Sequence, residues 1–525
     1  MKKLDLPDYT SNKEYYKVLS THEELRKAIK DGGNVVAIDT ETYYNPDNEG
    51  VIRFIEGSKN NVPFCLTATV KVDGEYVSYY IPEEEIPACA PWLTDTEVTK
   101  ILHNFHYDAH ILMNIGITIM GHIWDTMIMI HLINEEQECI MPDGTVKESK
   151  ALKNLAHHYL EEDATYYEKL IAEIRRTTAK NINVNVGDVS YKDIMHANFD
   201  AMKDYACSDT EYTYRLWEIF LPRLTSQVLG KAYDIDVNAT WAVIDMERNG
   251  IKIDTDYYTA LEKELEDTIR SIDDEIKELG IPNELNINSA DDIVEMFSLL
   301  GVTWKWFTEK ESYQTNDTVL KGFKEGKPQE LAQLILKRRD ATKIKDTFIA
   351  QMLFYTQPDG KVHPNFNVCP KDNSVGGTVT GRLSSSDPNL QNIPKSDDRI
   401  RKGVIPSKGY SLVSMDYSQQ EYRLMAVYAN DRTLTSIIKS GVDIHSGTAA
   451  LMLNIPVDEA AKKPNRQIGK TLNFSLIYGT GKAHLAQMLG YDIDATLYNK
   501  AGFLLRTLGY KPWEDYPPVH ELVKK

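Results

Sequence analysis

Apolar residues recur along the chain at helix or strand spacing, and these patterns predict several elements of the fold. The sequence Thr21-His22-Glu23-Glu24 is a capping pattern, which predicts a helix that ends near Gly32. The apolar run at residues 35–38 follows at once and predicts a buried strand. The N-terminal part of the chain is therefore expected to mix helices with a buried sheet.

A long amphipathic helix is predicted to start near Tyr258 and to stop at Gly280. Its apolar positions are three or four residues apart: Leu261, Leu265, Ile269, Ile272, Ile276 and Leu279. A second helical run is predicted from Leu331 to Met352. The two are expected to pair as an antiparallel intramolecular hairpin; a homodimeric coiled coil is the alternative.

The stretch at residues 411–426 begins with apolar residues and continues with charged ones. Leu412, Val413 and Met415 predict a short buried strand that ends at Asp416. An apolar helix is predicted to start near Leu424 and to hold the strand end against a core. A carboxylate on this rigid base is well placed to bind a metal; a turn or a helix cap is the alternative interpretation.

Charged and aromatic side chains share one face of a predicted helix near residue 470. Arg466, Lys470, Phe474 and Tyr478 follow one another every four residues. Apolar residues occupy the opposite face: Ile468, Leu472 and Leu476. Two cations followed by two rings suit a nucleoside triphosphate, because the cations attract phosphate and the rings stack on a base.

Acidic residues in the first 225 residues predict a second chemical site. Asp39 and Glu41 follow the predicted strand at i, i+2 spacing, which turns both carboxylates to one face. Asn104 with Asp108, and Tyr205 with Asp209, are four residues apart on predicted helices. Hydrolysis of a phosphodiester by two divalent cations needs such carboxylates, and a group that orients the attacking water.

Composition limits the class of protein and its partners. The 525 residues are enough for several domains, and no apolar run approaches the length of a membrane span, so a cytoplasmic protein is expected. The net charge is −19, but residues 380–482 carry 14 Lys and Arg against 9 Asp and Glu, which suits a cleft that holds DNA. The five scattered cysteines predict reduced thiols.

Three N-terminal motifs together resemble a known nuclease family. The order DTE at residues 39–41, then HNFHYD, then YACSD is similar to the DEDD-type 3'-5' exonuclease domain with tyrosine in its last motif. The resemblance implies a ribonuclease H-like fold. It also implies that Asp39, Glu41, Asp108 and Asp209 are metal ligands and that Tyr205 positions the nucleophilic water.

Three later stretches resemble the palm and fingers motifs of family A DNA polymerases: TGRLSSSDPNLQNIP, SLVSMDYSQQEYRLMA and NRQIGKTLNFSLIYGTG. The resemblance implies DNA primer–template and dNTPs as partners, with two Mg²⁺ ions per active site that Mn²⁺ can replace. Asp416 is implied as a catalytic carboxylate and metal ligand. Residues implied in primer–template contact are Arg382, Asn389 and Gln391. Residues implied in dNTP binding are Gln419, Glu421, His445, Arg466, Lys470, Phe474 and Tyr478.

Two of these residues imply substrate selection. The family's counterpart of Glu421 excludes ribonucleotides by crowding the 2' position. Phenylalanine rather than tyrosine at Phe474 implies discrimination against dideoxynucleotides.

The sequence departs from the polymerase family in one motif. The second catalytic carboxylate of the family belongs to a VHDE motif downstream of the fingers, whereas Val519-His520-Glu521 better resembles the family's YPxV segment. The expectation is a truncated or split chain that polymerises poorly alone, and possible completion by a second polypeptide that carries the C-terminal palm.

The predicted architecture is therefore multidomain α/β and α+β. The expected domains are an exonuclease domain at residues 1–225, an N-terminal palm segment and thumb at 226–365, a palm segment at 366–435 and fingers at 436–525, which together make an incomplete right-hand polymerase. The expected function is DNA-templated DNA synthesis in replication, of phage type, with 3'-5' proofreading. The alternatives are an exonuclease with an inactive polymerase half and a DNA-holding subunit.

Overall fold

The chain folds into two compact units, Met1–Leu412 and Val413–Lys525. The computed structural model describes residues 5–44, 61–308, 310–369, 377–378, 380–394 and 397–477. The first unit contains both helices and strands, and the regular structure in the described part of the second unit is helical. The predicted mixture of α/β and α+β structure is confirmed.

A six-stranded sheet forms the centre of the N-terminal region, with strand order β1-β4-β3-β2-β5-β6. Its strands are β1 (Tyr16–Val18), β2 (Val35–Tyr44), β3 (Asn61–Val72), β4 (Glu75–Pro82), β5 (Thr99–Leu102) and β6 (Ile123–Asp125). β3 runs antiparallel to β2 and β4, while β2, β5 and β6 are parallel to one another. The predicted strand at residues 35–38 is the buried first half of β2.

Helices of this region pack on the sheet or join its strands. They are α1 (His22–Asp31), α2 (Ala90–Leu93), α3 (Phe105–Asn114), α4 (Thr126–Ile133), α5 (Leu152–Leu160), α6 (Tyr166–Ile182), α7 (Tyr191–Ala197) and α8 (Phe199–Ser226), with a hairpin of β7 (Glu138–Ile140) and β8 (Val146–Glu148). Thr21 caps α1 by accepting a hydrogen bond from the Glu24 N–H at 3.1 Å, as predicted. All five cysteines are buried and unpaired with one another.

The rest of the first unit is mainly helical. Its elements are α9 (Gly230–Asn249), β9 (Ile251–Lys252), α10 (Thr255–Glu278), α11 (Ala290–Leu299), α12 (Asp317–Leu320), α13 (Gly326–Thr342), a π-helical segment (Lys343–Ile349), α14 (Ala350–Phe354), β10 (Lys361–Val362), β11 (Asn365–Asn367), β12 (Ser384–Ser386) and α15 (Asp398–Lys402). The short strands form antiparallel pairs, β9 with β10 and β11 with β12.

The predicted helical hairpin is formed by α10 and by α13 with its π-helical extension. Arg338 pairs with Asp273 at 2.6 Å, and Lys345 pairs with Glu266 at 3.6 Å. The partner on α10 moves towards its N-terminus as the second helix advances, so the two run antiparallel. Leu265 and Ile272 are buried on the predicted apolar face of α10. An intramolecular hairpin is therefore confirmed.

The described part of the second unit consists of five helices, α16 (Gln420–Tyr428), α17 (Arg432–Lys439), α18 (Ile444–Leu453), α19 (Val457–Ala460) and α20 (Lys463–Ile477). α18 and α20 approach closely at Gly469, where an added Cβ would lie 2.1 Å from the carbonyl oxygen of His445. Leu472 is buried on the predicted apolar face of α20.

The predicted buried strand before Asp416 is wrong. Residues 411–417 lie outside any helix or strand, and Leu412 and Met415 are 61% and 89% exposed. A buried strand needs neighbouring strands for its backbone hydrogen bonds and apolar cover for its side chains. The described residues supply neither to this segment. The helix predicted after it is α16, which begins four residues before Leu424.

The structure also bears on two other expectations. Asn104 is not in a helix: it precedes α3 in a left-handed conformation with φ 68°, and only Asp108 is helical. Among the described residues, no helix combines the length and apolar character that crossing a bilayer requires.

Candidate active sites

Three carboxylates meet on the N-terminal sheet. Asp39 and Glu41 alternate along β2 and face one side, as their spacing predicts, and Asp209 comes from α8, which packs on the sheet. Potential ligand oxygens of the three lie within 4.8 Å of one another. Hydroxyl contacts hold α8 beside this point, since Thr69 bonds Thr210 at 2.7 Å and Tyr16 bonds Glu211 at 2.6 Å.

The fourth predicted acid, Asp108, lies next to this group rather than within it. Its Oδ1 accepts hydrogen bonds from the Thr40 N–H at 2.9 Å and the Thr40 hydroxyl at 2.6 Å. Thr40 sits between Asp39 and Glu41 on β2, so Asp108 is held against the same strand. Burial, with the charge of Asp39, raises the pKa of Asp108 well above its usual range.

The carboxylates of this site can stay ionised together only with positive charge close by. Burial raises the pKa of Glu41 well above its usual range, and the neighbouring Asp39 adds to the effect. Buried like charges are costly unless cations neutralise them. Carboxylate oxygens are the donors that Mg²⁺ and Mn²⁺ prefer. The residues present therefore fit a site for hard divalent cations.

Lys153 supplies one positive charge to this site, and the sequence analysis did not identify it. It lies on α5, its ammonium contacts the Asp209 carboxylate, and it lies 4.6 Å from the centre of the Tyr205 ring. Burial lowers the pKa of Lys153 to about 8, while the charges of nearby acids such as Glu41 act in the opposite direction. The available signal was a lone lysine beside Leu152, Leu155 and Ala156 on a predominantly apolar helix face.

Tyr205 is on α8, one turn before Asp209, as its spacing predicts. Its ring stacks on Tyr191 at 5.8 Å, and the Arg175 guanidinium lies 4.5 Å from the centre of the Tyr191 ring. Burial, with the charge of Glu41, raises the pKa of the Tyr205 hydroxyl well above its usual range. The phenol therefore stays protonated and able to donate a hydrogen bond.

The second candidate site lies in the other unit, where Asp443 caps α18. Arg466 of α20 donates to both carboxylate oxygens of Asp443, at 2.9 and 3.0 Å, and Gln419 donates to the same carboxylate at 2.6 Å. Burial opposes ionisation of Asp443, but hydrogen bonds from Arg466 and Ser446 prevail and lower its pKa to about 2. Asp443 thus joins two of the predicted dNTP-binding residues, and the sequence analysis missed it.

An aromatic cluster lies next to this ion pair. Phe474 of α20 packs 5.8 Å from His445 and 5.7 Å from Tyr422, measured between ring centres. Lys470 lies 5.8 Å from the centre of the Phe474 ring. Asn473 contacts His445 Nδ1 at 3.2 Å, and burial lowers the pKa of His445. Lys470, Phe474 and His445 are therefore neighbours, as the predicted triphosphate site requires.

The remaining predicted polymerase residues differ in their surroundings. Glu421 is in the first turn of α16, whereas Asp416 is exposed and lies outside regular structure. Three other predicted features lie outside what the structure describes: Tyr478, the side chain of Leu476 and the segment Val519-His520-Glu521. Thus only part of the predicted polymerase site has a described position.

Predicted DNA contacts in the first unit already make local hydrogen bonds. Asn389 Oδ1 accepts from the Gln391 N–H at 3.0 Å, and Gln391 Nε2 donates to the Leu383 carbonyl at 3.0 Å. Arg382 is exposed, and its backbone N–H donates to the Thr378 hydroxyl at 2.9 Å. The side chains of Asn389 and Gln391 therefore shape the loop as well as being candidates for DNA contact.

Two stretches of the chain match known protein families. The family described as DNA polymerase family A matches residues 255–506, and the family described as 3'-5' exonuclease matches residues 16–225. These ranges contain the two candidate sites described above.

Curated relatives include several bacterial enzymes named DNA polymerase I. That of Chloroflexus aurantiacus is 29% identical over 78% of this chain and 41% of the relative. That of Borreliella burgdorferi is 28% identical over 97% of this chain and 51% of the relative. The thermostable Thermus aquaticus enzyme is 36% identical over 53% of this chain and 32% of the relative. The chain thus spans about half the length of these relatives, or less.

A solved structure shares the fold. It is described as the POL domain of Pol1 from M. smegmatis in complex with DNA primer-template and dNTP. The TM-score is 0.70 at 23% sequence identity, and the match covers 97% of this chain and 77% of that one.

Proposed function

We propose that the chain is a DNA polymerase of family A with a 3'-5' exonuclease domain, which extends DNA primers with dNTPs and removes nucleotides from primer 3' ends. The partners are DNA primer–template and deoxynucleoside triphosphates. The role is in DNA replication. The convergence of Asp39, Glu41 and Asp209 is the single observation that best supports the proposal, because it supplies the carboxylates of a nuclease site.

In the exonuclease reaction, two divalent cations, Mg²⁺ or Mn²⁺, would be held by Asp39, Glu41, Asp108 and Asp209. Bound cations supply charge neutralisation at the scissile phosphate and a more acidic water. The protonated Tyr205 hydroxyl donates a hydrogen bond that orients the attacking water. Single-stranded or mispaired ends are the preferred substrates, because a 3' end must leave the duplex to reach the site.

In the polymerase reaction, Arg466, Lys470 and His445 bind the triphosphate, and Phe474 with Tyr478 contacts the sugar and base. The cluster of Lys470, His445 and Phe474 supports this assignment. Asp416 acts as a metal-binding carboxylate. The loop residues proposed to contact the primer–template are Arg382, Asn389 and Gln391.

Two nearby residues refine dNTP binding. Gln419 joins the dNTP site through its bond to Asp443. Glu421 excludes ribonucleotides by crowding the 2' position.

The proposed functional boundaries follow the two chemistries. Residues 1–225 form the exonuclease domain, residues 226–365 the N-terminal palm segment and thumb, residues 366–435 the palm segment with Asp416, and residues 436–525 the fingers. A phage source stays a prediction, because the relatives described above are bacterial. Completion by a second polypeptide has no support from the comparisons and is not part of the proposal.

A second candidate function is an exonuclease whose polymerase half is inactive. The setting of Asp416 favours it, since this residue is exposed and lies outside regular structure. In contrast, the exonuclease acids lie on a strand and on helices, and three of them, Glu41, Asp108 and Asp209, are buried. Weak or absent primer extension with full 3' degradation would select this function.

One labelled primer–template separates the two functions. With Mg²⁺ and without dNTPs, the proposed enzyme shortens the primer from its 3' end; with dNTPs, it lengthens the primer. Asp416→Ala should abolish extension and leave shortening intact. A chain that neither shortens nor lengthens the primer would contradict both candidate functions.

A further inference from the structure

Two histidines and a glutamate converge away from both sites described above. His106 and His110 are one turn apart on α3, and Glu247 is near the end of α9. The Nε2 atoms of His106 and His110 lie 2.7 and 2.6 Å from the same oxygen, Oε2 of Glu247. Potential ligand atoms of all three residues lie within 4.8 Å of one another.

Glu247 is fixed in place by groups around it. Its side chain is 0% exposed, and its Oε1 accepts a hydrogen bond from the Phe366 N–H at 2.6 Å. Its backbone carbonyl accepts a hydrogen bond from His363 Nδ1 at 2.6 Å. Gly250 leaves room for that imidazole: it has φ 61°, and an added Cβ would lie 2.6 Å from the His363 ring. Outer contacts of this kind orient metal ligands.

We propose that His106, His110 and Glu247 form a binding site for one divalent transition ion of the Zn²⁺ type. Two imidazole nitrogens and one carboxylate oxygen are a donor set that Zn²⁺ prefers, whereas Mg²⁺ and Ca²⁺ prefer oxygen donors. Histidines at i and i+4 present both nitrogens on one helix face. The site is thus distinct in chemistry from the carboxylate group around Asp39.

Ion binding requires an adjustment of the three side chains. Ligand atoms about 2.0 to 2.1 Å from a tetrahedral ion are roughly 3.3 Å apart, so each nitrogen must move about 0.6 Å from the Glu247 oxygen. The ligand atoms of the two imidazoles, which lie within 4.8 Å of each other, must reach the same spacing. In the ion-free contacts each Nε2 donates its proton to the Glu247 carboxylate. Binding an ion through Nε2 requires the tautomer that carries the proton on Nδ1, and a neutral imidazole that changes tautomer releases no proton.

A cavity adjoins His106, the partly exposed member of the three residues. His106 is 16% exposed at its side chain and lines a cavity of about 30 Å³, together with Asn104, Phe366 and Cys369. This volume suffices for one water molecule. Three protein ligands and one water complete a tetrahedral ion.

The site would join the two halves of the chain. α3 carries the exonuclease residue Asp108 between the two histidines, and α9 leads to the polymerase region. Glu247 lies between the ranges 16–225 and 255–506 that the two families match. An ion here would tie the helix of an exonuclease acid to the segment between the two matched ranges.

Co²⁺ is a suitable probe because its visible absorption reports a four-coordinate site with nitrogen ligands. The experiment uses the full chain carrying Asp39→Ala and Glu41→Ala, which removes the carboxylate group as a competing site. We expect one equivalent of Co²⁺ to bind, Zn²⁺ to displace it, and excess Mg²⁺ to leave it bound. His106→Gln and His110→Gln should each weaken Co²⁺ binding at least tenfold.

A matched control is His22→Gln. It changes a histidine that pairs with Glu85, which is not one of the three proposed ligands. This variant should bind Co²⁺ as its parent does. Circular dichroism checks folding, and His106→Gln decides the outcome if His110→Gln does not fold, because His106 is partly exposed. Absence of stoichiometric Co²⁺ binding, or binding unchanged by His106→Gln, would overturn the proposal.

Discussion

Arg466 and Asp443 form a bidentate ion pair between α20 and the N-terminal cap of α18, with N–O distances of 2.9 and 3.0 Å. One of the two cations predicted to hold a triphosphate is therefore already bound to a carboxylate. Lys470, one turn further along α20, lies over the ring of Phe474 instead. A triphosphate that binds Arg466 must therefore compete with the Asp443 carboxylate, whereas one that binds Lys470 competes with an aromatic ring.

Lys470→Ala should weaken dNTP binding about tenfold to a hundredfold, because it removes a charge-assisted contact worth about 1.5 to 3 kcal/mol. DNA affinity should barely change. The measurement is dNTP titration of the enzyme–DNA complex, with Lys463→Ala on the same helix as the control. Loss of DNA affinity rather than dNTP affinity in Lys470→Ala would contradict the triphosphate assignment.

Lys153→Met should make the nuclease site depend more strongly on divalent cations. The buried ammonium contacts Asp209, and its removal leaves neighbouring carboxylates without that charge, at a cost on the order of 3 kcal/mol. In EDTA, the variant should unfold at a lower temperature than the parent. Added Mn²⁺ should raise the unfolding temperature more in the variant, because cation and ammonium no longer compete.

Lys192→Met is the control for this prediction, since Lys192 pairs with Glu83, which is not one of the three clustered acids, at an N–O distance of 2.5 Å. Its unfolding temperature should respond to Mn²⁺ as the parent's does. An equal response in Lys153→Met and the parent would show that Lys153 does not neutralise these carboxylates.

Gly469→Ala should destabilise the second unit by about 1 to 3 kcal/mol, since its Cβ would lie 2.1 Å from the His445 carbonyl oxygen and would push α18 from α20. Thermal unfolding of the full chain measures the effect. Gly230→Ala is the matched control, because that glycine is also helical but has nothing within 4 Å of its added Cβ. If the two variants were equally stable, the close contact would carry no energetic weight.

The free energy of unfolding should fall as the pH drops from about 6.5 to 4, because His131 on α4 binds a proton more readily in the unfolded chain than in the folded one. Burial, aided by the charge of Lys150, lowers the pKa of His131 to about 4. The unfolded chain binds this proton below about pH 6.5 and the folded chain resists it, so acid favours unfolding. The stabilising contribution is complete above pH 6.5, and its loss is on the order of 3 kcal/mol by pH 4.

His131→Gln should flatten this part of the pH dependence, as measured by denaturant unfolding from pH 7.5 to pH 4. The quantity to compare is the difference in the free energy of unfolding between the parent and His131→Gln at each pH, because other buried groups titrate in both proteins. A His131→Gln curve parallel to the parent's would contradict the buried neutral imidazole.

Local patterns predicted the elements whose partners are close in sequence or whose faces are simple. The spacing of Leu265 and Ile272 fixed the apolar face of α10, and the alternation of Asp39 with Glu41 placed both on one side of β2. The apolar pattern of Leu412 and Met415 wrongly predicted a buried strand, because such a strand depends on neighbouring strands that its own residues do not specify.

Residues that act through distant partners were not predictable from spacing. Lys153 reaches Asp209 across 56 positions of sequence, and Asp443 reaches Arg466 across 23. Each looks ordinary in its own helix, a lone lysine among apolar residues and a helix cap. Only the packing of α5 against α8, and of α18 against α20, gives them a role.

The central claim is that the acids gathered on β2 and α8 form a 3'-5' exonuclease within a family A polymerase chain. The most direct measurement follows a labelled primer with a mispaired 3' end, in Mg²⁺ without dNTPs, for the parent, for Asp39→Ala with Glu41→Ala, and for the control Glu75→Ala on β4. The parent and Glu75→Ala should shorten the primer from its 3' end, and the double variant should leave it intact. Undiminished shortening by the double variant would contradict the account.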